Sequence, residues 1–175
     1  MISNFRLISL FTSFSKIFEK IIYNRLYDHI FINNIFAQEQ FGFRKNLLTD
    51  EASSNLINSI LHAFNDKLTV GGIFCDLTKA FDSVNHSILL SKLNYYGITD
   101  NALGLIKSYL DNRHQRVLIK NAQFINYSSS WNKIKLGVPQ DSILGPLLFL
   151  LYISDTPGYI NSLYPLNNLY KITLY

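Results

Sequence analysis

Two carboxylates near the middle of the chain have the clearest potential for chemistry. An apolar stretch from Leu68 to Cys75 contains β-branched residues and two glycines, and it is short enough to favour a buried strand over a helix. Asp76 stands directly after this stretch, and Asp82 follows six positions later. A carboxylate at the tip of a buried strand is held rigidly, and its oxygens suit a divalent cation. The alternative is a core strand that ends in a capped turn.

Three further segments combine turn-forming residues with groups that could hold a polyanion. The stretch 137–147, GVPQDSILGPL, leads from a glycine- and proline-containing turn into an apolar helix. Arg6 lies in NFRLISL, and Arg44 and Lys45 follow Gly42 in QEQFGFRKN. A guanidinium group matches the geometry of phosphate oxygens, and a glycine between aromatic residues allows close backbone approach. The alternatives are a solvated surface arginine at position 6 and core packing for the phenylalanines.

Taken in order, these segments resemble the motifs of reverse transcriptases from non-LTR retrotransposons of the LINE or jockey type. The central stretch is similar to that family's F-x-D-x-x-x-A-F-D-x-V, and residues 137–146 are similar to G-V-P-Q-G-S-I-L-G-P. Residues 4–10 resemble N-[YF]-R-P-I-S-L with Leu7 in place of proline, and residues 38–46 resemble E-Q-x-G-F-R. Tyr152 and Ser154 lie in a stretch similar to the family's Y-I-N-D-L-P.

The resemblance implies an α+β fold, a partial right-hand polymerase whose antiparallel palm sheet is backed by helices. Residues 1–175 would form a single partial reverse transcriptase domain, with the fingers region in about 1–67 and mostly palm in 68–175, including some fingers-like insertion. The implied reaction is RNA-templated DNA synthesis by two-metal phosphoryl transfer. Its cofactor would be Mg²⁺, and its partners would be an RNA template, a DNA primer, deoxynucleotide triphosphates and the remainder of the polymerase.

The resemblance also assigns roles to individual residues. Asp76 would be the catalytic carboxylate and a metal ligand, and the backbone carbonyl of Leu77 would be a second ligand. The nucleotide would be bound by Arg6, Phe81, Gln140 and Asp141, and the template and primer by Gln40, Gly42, Arg44, Pro139 and Ser142. The ring of Phe81 would lie beneath the sugar and exclude a 2′-hydroxyl; its alternative is a core aromatic. Asp82 is interpreted as a structural hydrogen-bond acceptor.

Two departures from the family pattern predict that this chain is inactive as given. Asp141 stands where the family has glycine, and two like charges about 5 Å apart repel by roughly 3 kcal/mol at an effective dielectric near 20, which weakens nucleotide binding about tenfold after screening. Tyr175 matches the aromatic of the family's [FY]-A-D-D motif, and no adjacent Asp-Asp pair occurs in the sequence. The alternative functions are a remnant without activity or a non-catalytic RNA-binding module that uses Arg6, Arg44, Lys45, Arg113 and Arg116.

The composition is that of a folded domain. The 175 residues are 48% hydrophobic and 16% charged, which is typical of a globular chain and not of a disordered one. A net charge of +4 permits nucleic-acid binding without arguing strongly for it. The single cysteine excludes an internal disulfide. Since neither a signal peptide nor an apolar run long enough for a bilayer is visible, we expect an intracellular protein without membrane contact.

Helical periodicity predicts the elements that position these segments. An amphipathic helix capped by Thr12 or Ser13 would bury Phe14, Ile17, Phe18, Ile21, Ile22, Leu26 and Ile30, leaving Glu19 on another face. A second helix, capped by Thr49, would bury a stripe from Ala52 to Phe64. Helices should begin at Asn85 or Ser87 and at Thr99 or Asp100, the first ending at Gly97. Strands at 117–119 and 129–135 should pair.

Overall fold

The structure, a computed structural model, describes residues 9–45, 47–72, 74, 77–120 and 126–163. Within these residues the chain forms six α-helices, one short 3₁₀ helix and four short strands. In chain order they are α1 (Ser13–Ile32), α2 (Thr49–Asn65), the 3₁₀ helix (Ala80–Ser83), α3 (His86–Tyr95), α4 (Asp100–Leu110), β1 (His114–Gln115), β2 (Leu118–Lys120), β3 (Asn126–Ser128), β4 (Asn132–Lys133), α5 (Gly145–Ile153) and α6 (Thr156–Leu163).

Helix α5 lies at the centre of the core. Its sequence, GPLLFLLYI, is apolar on every face, and its residues from Leu147 to Leu151 are all buried. A helix without a polar face must be enclosed by other elements. The enclosing side chains come mainly from α1, α3 and α4, where Ile30, Leu89, Leu93 and Leu110 have no solvent exposure. Val84, from the stretch that contains Asp82, and Val138, from the 137–147 segment, belong to the same cluster.

The helix boundaries predicted from capping residues are confirmed for three helices. The Thr12 hydroxyl accepts a hydrogen bond from the backbone N–H of Ser15 at the start of α1. The Asn85 side chain accepts from the N–H groups of Ser87 and Ile88, at 3.0 and 3.2 Å, at the start of α3. Gly97 follows the end of α3, and Thr99 precedes α4. Helix α2 begins one residue earlier than expected, because Leu48 occupies the cap position instead of Thr49.

The predicted buried face of α1 is partly wrong. Ile22, Leu26 and Ile30 are buried, whereas four apolar side chains near the helix start are more than half exposed: Phe14, Ile17, Phe18 and Ile21. Glu19, which we expected on a solvent face, is only 2% exposed. The reason is geometric, since positions 19, 22, 26 and 30 fall on one side of a helix with 3.6 residues per turn. Likewise, Ala52 is the one fully buried residue of α2.

The strands form two small antiparallel sheets. β1 pairs with β4, and β2 pairs with β3. The predicted strand near 117–119 therefore has an antiparallel partner, but this is Asn126–Ser128, and the predicted segment 129–135 contributes β4, which pairs with His114–Gln115. Helices together with antiparallel sheets confirm the α+β class. Among the described residues these are the only sheets, and the larger palm sheet stays a prediction.

The described part of the stretch 68–75 is not the buried strand that its composition predicts. Residues 68–72 and 74 form no regular element, and Val70 and Phe74 are 41% and 82% exposed. A strand needs a hydrogen-bonded neighbour, and no described segment pairs with this one. Its apolar composition alone therefore does not determine its structure. Nor does any described helix have the length and the hydropathy needed to cross a bilayer.

Two isoleucines on α1 test the corrected burial pattern. We expect Ile30→Ala to lower the free energy of unfolding by about 3 kcal/mol, because Ile30 has no exposure and its truncation leaves a cavity. Ile21→Ala removes the same atoms from the same helix at a side chain that is 53% exposed, and should cost less than about 1 kcal/mol. Urea denaturation of both variants measures the difference; equal losses would contradict the observed face.

Candidate functional site

Two of the predicted segments lie directly against each other. The backbone N–H of Val138 donates to the carbonyl of Phe81 at 2.8 Å, and the N–H of Gly137 donates to the carbonyl of Val84 at 2.7 Å. An isolated antiparallel bridge joins Asn85 and Leu136. The end of the central segment and the start of the 137–147 segment therefore form one continuous backbone-paired unit.

Gly137 makes this close approach possible. Its φ is +89°, and a Cβ added there would lie 2.9 Å from both the Cα and the carbonyl oxygen of Asp82. Any side chain would therefore be strained by its backbone conformation and would push the two segments apart. The Gly137 carbonyl is in turn 2.8 Å from Nε2 of His86 at the start of α3. His86 thus joins the start of α3 to the 137–147 segment.

Side chains also link the two segments. The Gln140 amide donates to Oδ1 of Asp82 at 3.1 Å, so Asp82 serves as the hydrogen-bond acceptor that the sequence predicted. Asp82 is exposed and Gln140 is half-buried, so both lie at the surface of the joined unit. The bond fixes the amide of a predicted nucleotide-binding residue to the segment that follows Asp76.

Phe81 connects a third segment to this unit. Its ring is half-buried, and its centroid lies 4.8 Å from that of Phe149 in α5. The ring of Phe43, from the QEQFGFRKN segment, meets it edge-on at 5.9 Å. One side of Phe81 is thus packed on the core helix, which fixes the ring's orientation, and Phe43, itself 57% exposed, borders it. The packing against Phe149 agrees with the core-aromatic alternative for one side of the ring, and the contact of Phe81 with a nucleotide stays a prediction.

Arg44 and Gln40 have internal partners. The Arg44 Nη1 donates to the carbonyls of Ala37 and Gln40, at 3.2 and 3.1 Å, and its guanidinium group lies 5.0 Å from the ring centroid of Phe36. The Gln40 side chain is buried and its amide donates to the carbonyl of Gly42 at 3.2 Å. These bonds hold the loop 37–44 in one shape. Template contact by Gln40, Gly42 or Arg44 stays a prediction.

Ser142 and Pro139 form the turn that leads into α5. The Ser142 hydroxyl donates to the Pro139 carbonyl at 2.9 Å and accepts from the N–H of Gly145 at 2.8 Å. Both residues are buried, and a Cβ at Gly145 would lie 2.5 Å from the Pro139 oxygen. The turn is therefore closed by its own bonds. The hydrogen bonds of the Ser142 hydroxyl and the Pro139 carbonyl are explained by the turn itself. Contact of either residue with template or primer stays a prediction.

Glu19 is the residue that sequence reasoning missed. Its Oε2 accepts hydrogen bonds from the backbone N–H groups of Ile143 and Leu144, at 2.7 and 3.4 Å. Its Oε1 accepts from the Tyr109 hydroxyl of α4 at 2.8 Å. The first N–H groups of a helix lack partners inside the helix, and a carboxylate is favoured at that end. A side chain of α1 thus caps α5 and fixes the turn that carries Gln140.

Burial and the neighbouring Glu19 carboxylate shift the pKa values of Tyr109 and Arg113. Burial raises the pKa of Tyr109 well above its usual value, and the hydrogen bond to the Glu19 carboxylate raises it further. Burial lowers the pKa of Arg113, which the charge of Glu19 opposes. The guanidinium group of Arg113 lies 5.4 Å from the ring centroid of Tyr109. Arg113 therefore lies close enough to Tyr109 and Glu19 for its charge to interact with both, and its role as an RNA contact stays a prediction.

Asp141 has a backbone conformation that favours glycine. Its φ is +62°, in the left-handed region, and its side chain is exposed beside the turn. Aspartate tolerates this region better than most residues, but glycine adopts it without steric cost. The glycine that the family pattern has at this position is thus explained by the backbone. The charge argument from the sequence is a separate effect.

Three of the predicted site positions give little structural information. Arg6 and Asp76 lie outside the described residues, as does Tyr175, and Leu77 is exposed. Among the residues that are described, no group of three or more histidine, cysteine or acidic side chains converges. The described part therefore does not by itself supply the ligand set of a metal pair, and the roles of Asp76 and Leu77 stay predictions.

Comparison with known proteins decides the family. A model of the family described as "Reverse transcriptase (RNA-dependent DNA polymerase)" matches residues 2–173. The chain belongs to the reverse transcriptase family. Over 160 residues, 88% of the chain, it is 38% identical to the probable RNA-directed DNA polymerase from transposon BS of Drosophila melanogaster. It is 36% identical to that from transposon X-element over 93% of the chain, and 35% identical to the RNA-directed DNA polymerase from mobile element jockey over 90% of it, both from the same fly.

These similarities confirm the prediction of a non-LTR reverse transcriptase domain. The chain spans 16% of the BS polymerase and 17% of the jockey polymerase. The meeting of residues 81–84 with residues 137–140 is thus a feature of a reverse transcriptase segment. Within this segment the structure joins Phe81 and Asp82 to the turn that carries Gln140, and Phe43 links the loop 37–44 to Phe81.

A conservative variant tests the Glu19 network. We expect Glu19→Gln to lower the free energy of unfolding by about 2–3 kcal/mol, because an amide has one acceptor oxygen for donors from both Tyr109 and the α5 start. Asp28→Asn removes one negative charge from an exposed position of the same helix, and should change stability by less than about 0.5 kcal/mol. Thermal and urea unfolding measure both; a neutral Glu19→Gln variant would contradict the network.

Replacement of Asp141 tests the strained turn. We expect Asp141→Gly to raise the free energy of unfolding by about 1 kcal/mol, because glycine adopts the observed φ of +62° without a steric penalty. Asp111, an exposed aspartate at the end of α4, has φ −75°. There the same replacement should destabilise, because only the flexibility of the unfolded chain increases. Equal signs at the two positions in urea denaturation would argue against strain at Asp141.

Proposed function

We propose that the chain forms part of the nucleotidyl-transfer site of an RNA-directed DNA polymerase. The observation that carries the proposal is the backbone pairing between Phe81–Val84 and Gly137–Val138. It joins the segment that begins with Asp76 to the turn that carries Gln140 and Asp141. In-line phosphoryl transfer depends mainly on positioning and on charge stabilisation, so segments held together by backbone bonds suit the task.

In this proposal each segment has a distinct role. Asp76 and the Leu77 carbonyl would hold Mg²⁺, which supplies the charge that stabilises the transferred phosphate. Phe81, whose ring is fixed against Phe149, would support the sugar of the nucleotide and exclude a 2′-hydroxyl. Gln140, held by Asp82, would lie beside the incoming nucleotide, and Arg6 would contact its triphosphate. The right-hand arrangement of fingers and palm belongs to the same proposal.

The template side would be formed by the loop 37–44 and the 139–142 turn. The side chains of Gln40 and Ser142 bond within their own segments, so they would shape the surface. The template strand would contact exposed backbone and neighbouring groups. Gly42 would offer backbone to the template, and the buried Pro139 would shape the turn together with Ser142. RNA template, DNA primer and deoxynucleotide triphosphates are thus the proposed ligands.

Asp141 would weaken this site without removing it. Its carboxylate lies at the surface of the turn next to Gln140, where a triphosphate would approach. Repulsion between like charges about 5 Å apart, discounted for solvent screening, corresponds to roughly tenfold weaker nucleotide binding. The proposal therefore predicts a higher KM for nucleotide rather than a different reaction.

Primer extension in a chimeric enzyme tests the proposal. We would replace the homologous segment of the jockey polymerase with this chain and measure Mg²⁺-dependent DNA synthesis on an RNA template. Asp76→Asn should reduce the rate on the order of 1,000-fold, because a metal ligand is lost. Asp66→Asn, at an exposed aspartate after α2, should leave it unchanged. Asp141→Gly should lower KM for nucleotide about tenfold.

Folding of each chimera is checked by circular dichroism before activity is compared. Extension that resists chelation of Mg²⁺, or that Asp76→Asn leaves intact, would contradict the assigned role of this carboxylate. If Asp141→Gly leaves KM unchanged, the charge argument is wrong, while the backbone argument is judged separately by the unfolding measurements.

A further inference from the structure

The basic residues of the chain are unevenly distributed. The segment 112–140 contains five of the 16 lysines and arginines and none of the 12 acidic residues. The rest of the chain therefore has slightly more acidic than basic residues, and the whole net charge of +4 originates from this segment. A positive segment in an otherwise balanced chain is the electrostatic pattern of a nucleic-acid contact.

The structure places two of these five basic residues, Arg116 and Lys133, on an exposed two-stranded ribbon. We define the basic ribbon as residues 114–119 together with 127–133, in which β1 pairs with β4 and β2 with β3. All of these residues are exposed, and Ile119, Tyr127 and Trp131 are 59–60% exposed. A two-stranded ribbon with both faces in solvent gains little from burial, so its exposed aromatic side chains need another explanation.

One pair of side chains on the ribbon suits a nucleobase. The guanidinium group of Arg116 lies 4.8 Å from the ring centroid of Trp131. Cation–π contact holds the two planar groups together, and it leaves the indole attached to a positive charge at the surface. Aromatic rings next to cations bind single strands because bases stack on the ring while phosphates meet the charge. Tyr127, on β3, adds a second exposed ring.

A groove at the foot of the ribbon extends the positive surface. It encloses about 600 Å³ between the start of α3, the end of α4 and the strand that leads to Gly137. Its lining includes Lys107, Lys133 and Lys135, with Asp111 as the single acidic residue. The Lys133 ammonium group donates to Asn112 at 2.9 Å, which holds it at the groove wall. A nucleic-acid strand that continued from Trp131 into this groove would meet the ammonium groups of three lysines.

We propose that the basic ribbon and this groove bind a single-stranded nucleic acid, with a base stacked on Trp131 and phosphates on Arg116 and the groove lysines. This surface adjoins the 137–142 turn but includes none of the residues assigned to nucleotide transfer. A protein partner is the less favoured occupant, because it would have to neutralise Arg116 and the groove lysines, and the segment 112–140 contains no acidic residue. Binding requires neither nucleotide nor Mg²⁺, so its failure is distinguishable from failure of the polymerase proposal.

The tryptophan itself reports on the ribbon, because Trp131 is the single tryptophan of the chain. Titration of the purified chain with an oligouridylate of about 12 nucleotides should quench its fluorescence saturably as bases stack on the indole. A DNA oligonucleotide of the same length, run in parallel, shows whether the surface prefers RNA. Quenching should weaken steeply between about 50 and 200 mM salt, because phosphate contacts release counterions.

Matched variants locate the binding surface. Lys133→Gln with Lys135→Gln should lower the slope of log affinity against log salt by about 1.4, since each single-strand phosphate contact contributes roughly 0.7. Lys16→Gln with Lys20→Gln removes the same charge from exposed positions of α1 and should leave the slope unchanged. Trp131→Ala should weaken binding of a fluorescently labelled oligonucleotide about tenfold, and Trp131→Phe should restore most of it.

Three outcomes would overturn the proposal. The first is an equal loss of slope in the two double-lysine variants, which would mean that only net charge matters. The second is binding of the labelled oligonucleotide without any change in Trp131 fluorescence. The third is a blue shift of the emission that follows the concentration of the chain itself and not that of the oligonucleotide, which would identify the ribbon as a protein-docking surface. Circular dichroism of each variant verifies that the fold is retained.

Discussion

The start of α5 creates the strongest constraint in this chain. The helix is apolar on every face and is buried, so the backbone N–H groups of Ile143 and Leu144, the two residues that precede it, need partners within the protein. An unpaired buried donor costs about 1–3 kcal/mol, and the carboxylate of Glu19 removes this cost for Ile143 and Leu144. Since Tyr109 donates to the same carboxylate, one side chain joins α1, α4 and α5. The central helix can occupy its place only when these three helices are assembled.

The turn before α5 is consequently held from two sides. Glu19 binds its end, and the pairing of Gly137 and Val138 with Val84 and Phe81 binds its beginning. Between these fixed points the chain reverses direction at Asp141. The short connection requires a positive φ at this residue. The exposed groups of the turn, Gln140 and Asp141, are therefore positioned by the core rather than by the loop itself. Such support from packed elements is what a precise site requires.

Local signals in the sequence predicted much of the fold, and long-range ones did not. The caps at Thr12 and Asn85, the apolar helix after Pro146 and the strand near 117–119 were all readable from neighbouring residues. The apolar residues of α1 nearly encircle the helix, so periodicity alone left its buried face ambiguous, although the spacing from Glu19 to Ile22 and Leu26 pointed to it. The bond from Glu19 to Ile143 spans 124 positions and has no local signature. The meeting of residues 81–84 with 137–140 was expected only through family resemblance.

Positive charge and the proposed nucleotide-binding turn lie in different places on this chain. At the turn beside Phe81 the exposed acidic groups are Asp82 and Asp141, so this surface does not attract a polyanion strongly. The positive charge lies instead on the ribbon and its groove, which are joined to the turn through Leu136 and Gly137. A strand held on the ribbon would raise its own local concentration at the turn without help from charges there. An aspartate at position 141 would then weaken the binding of a nucleotide, which has a few phosphates, far more than that of a strand with many contacts. Under the two proposals, strand binding would therefore persist in this chain although Asp141 would impair transfer.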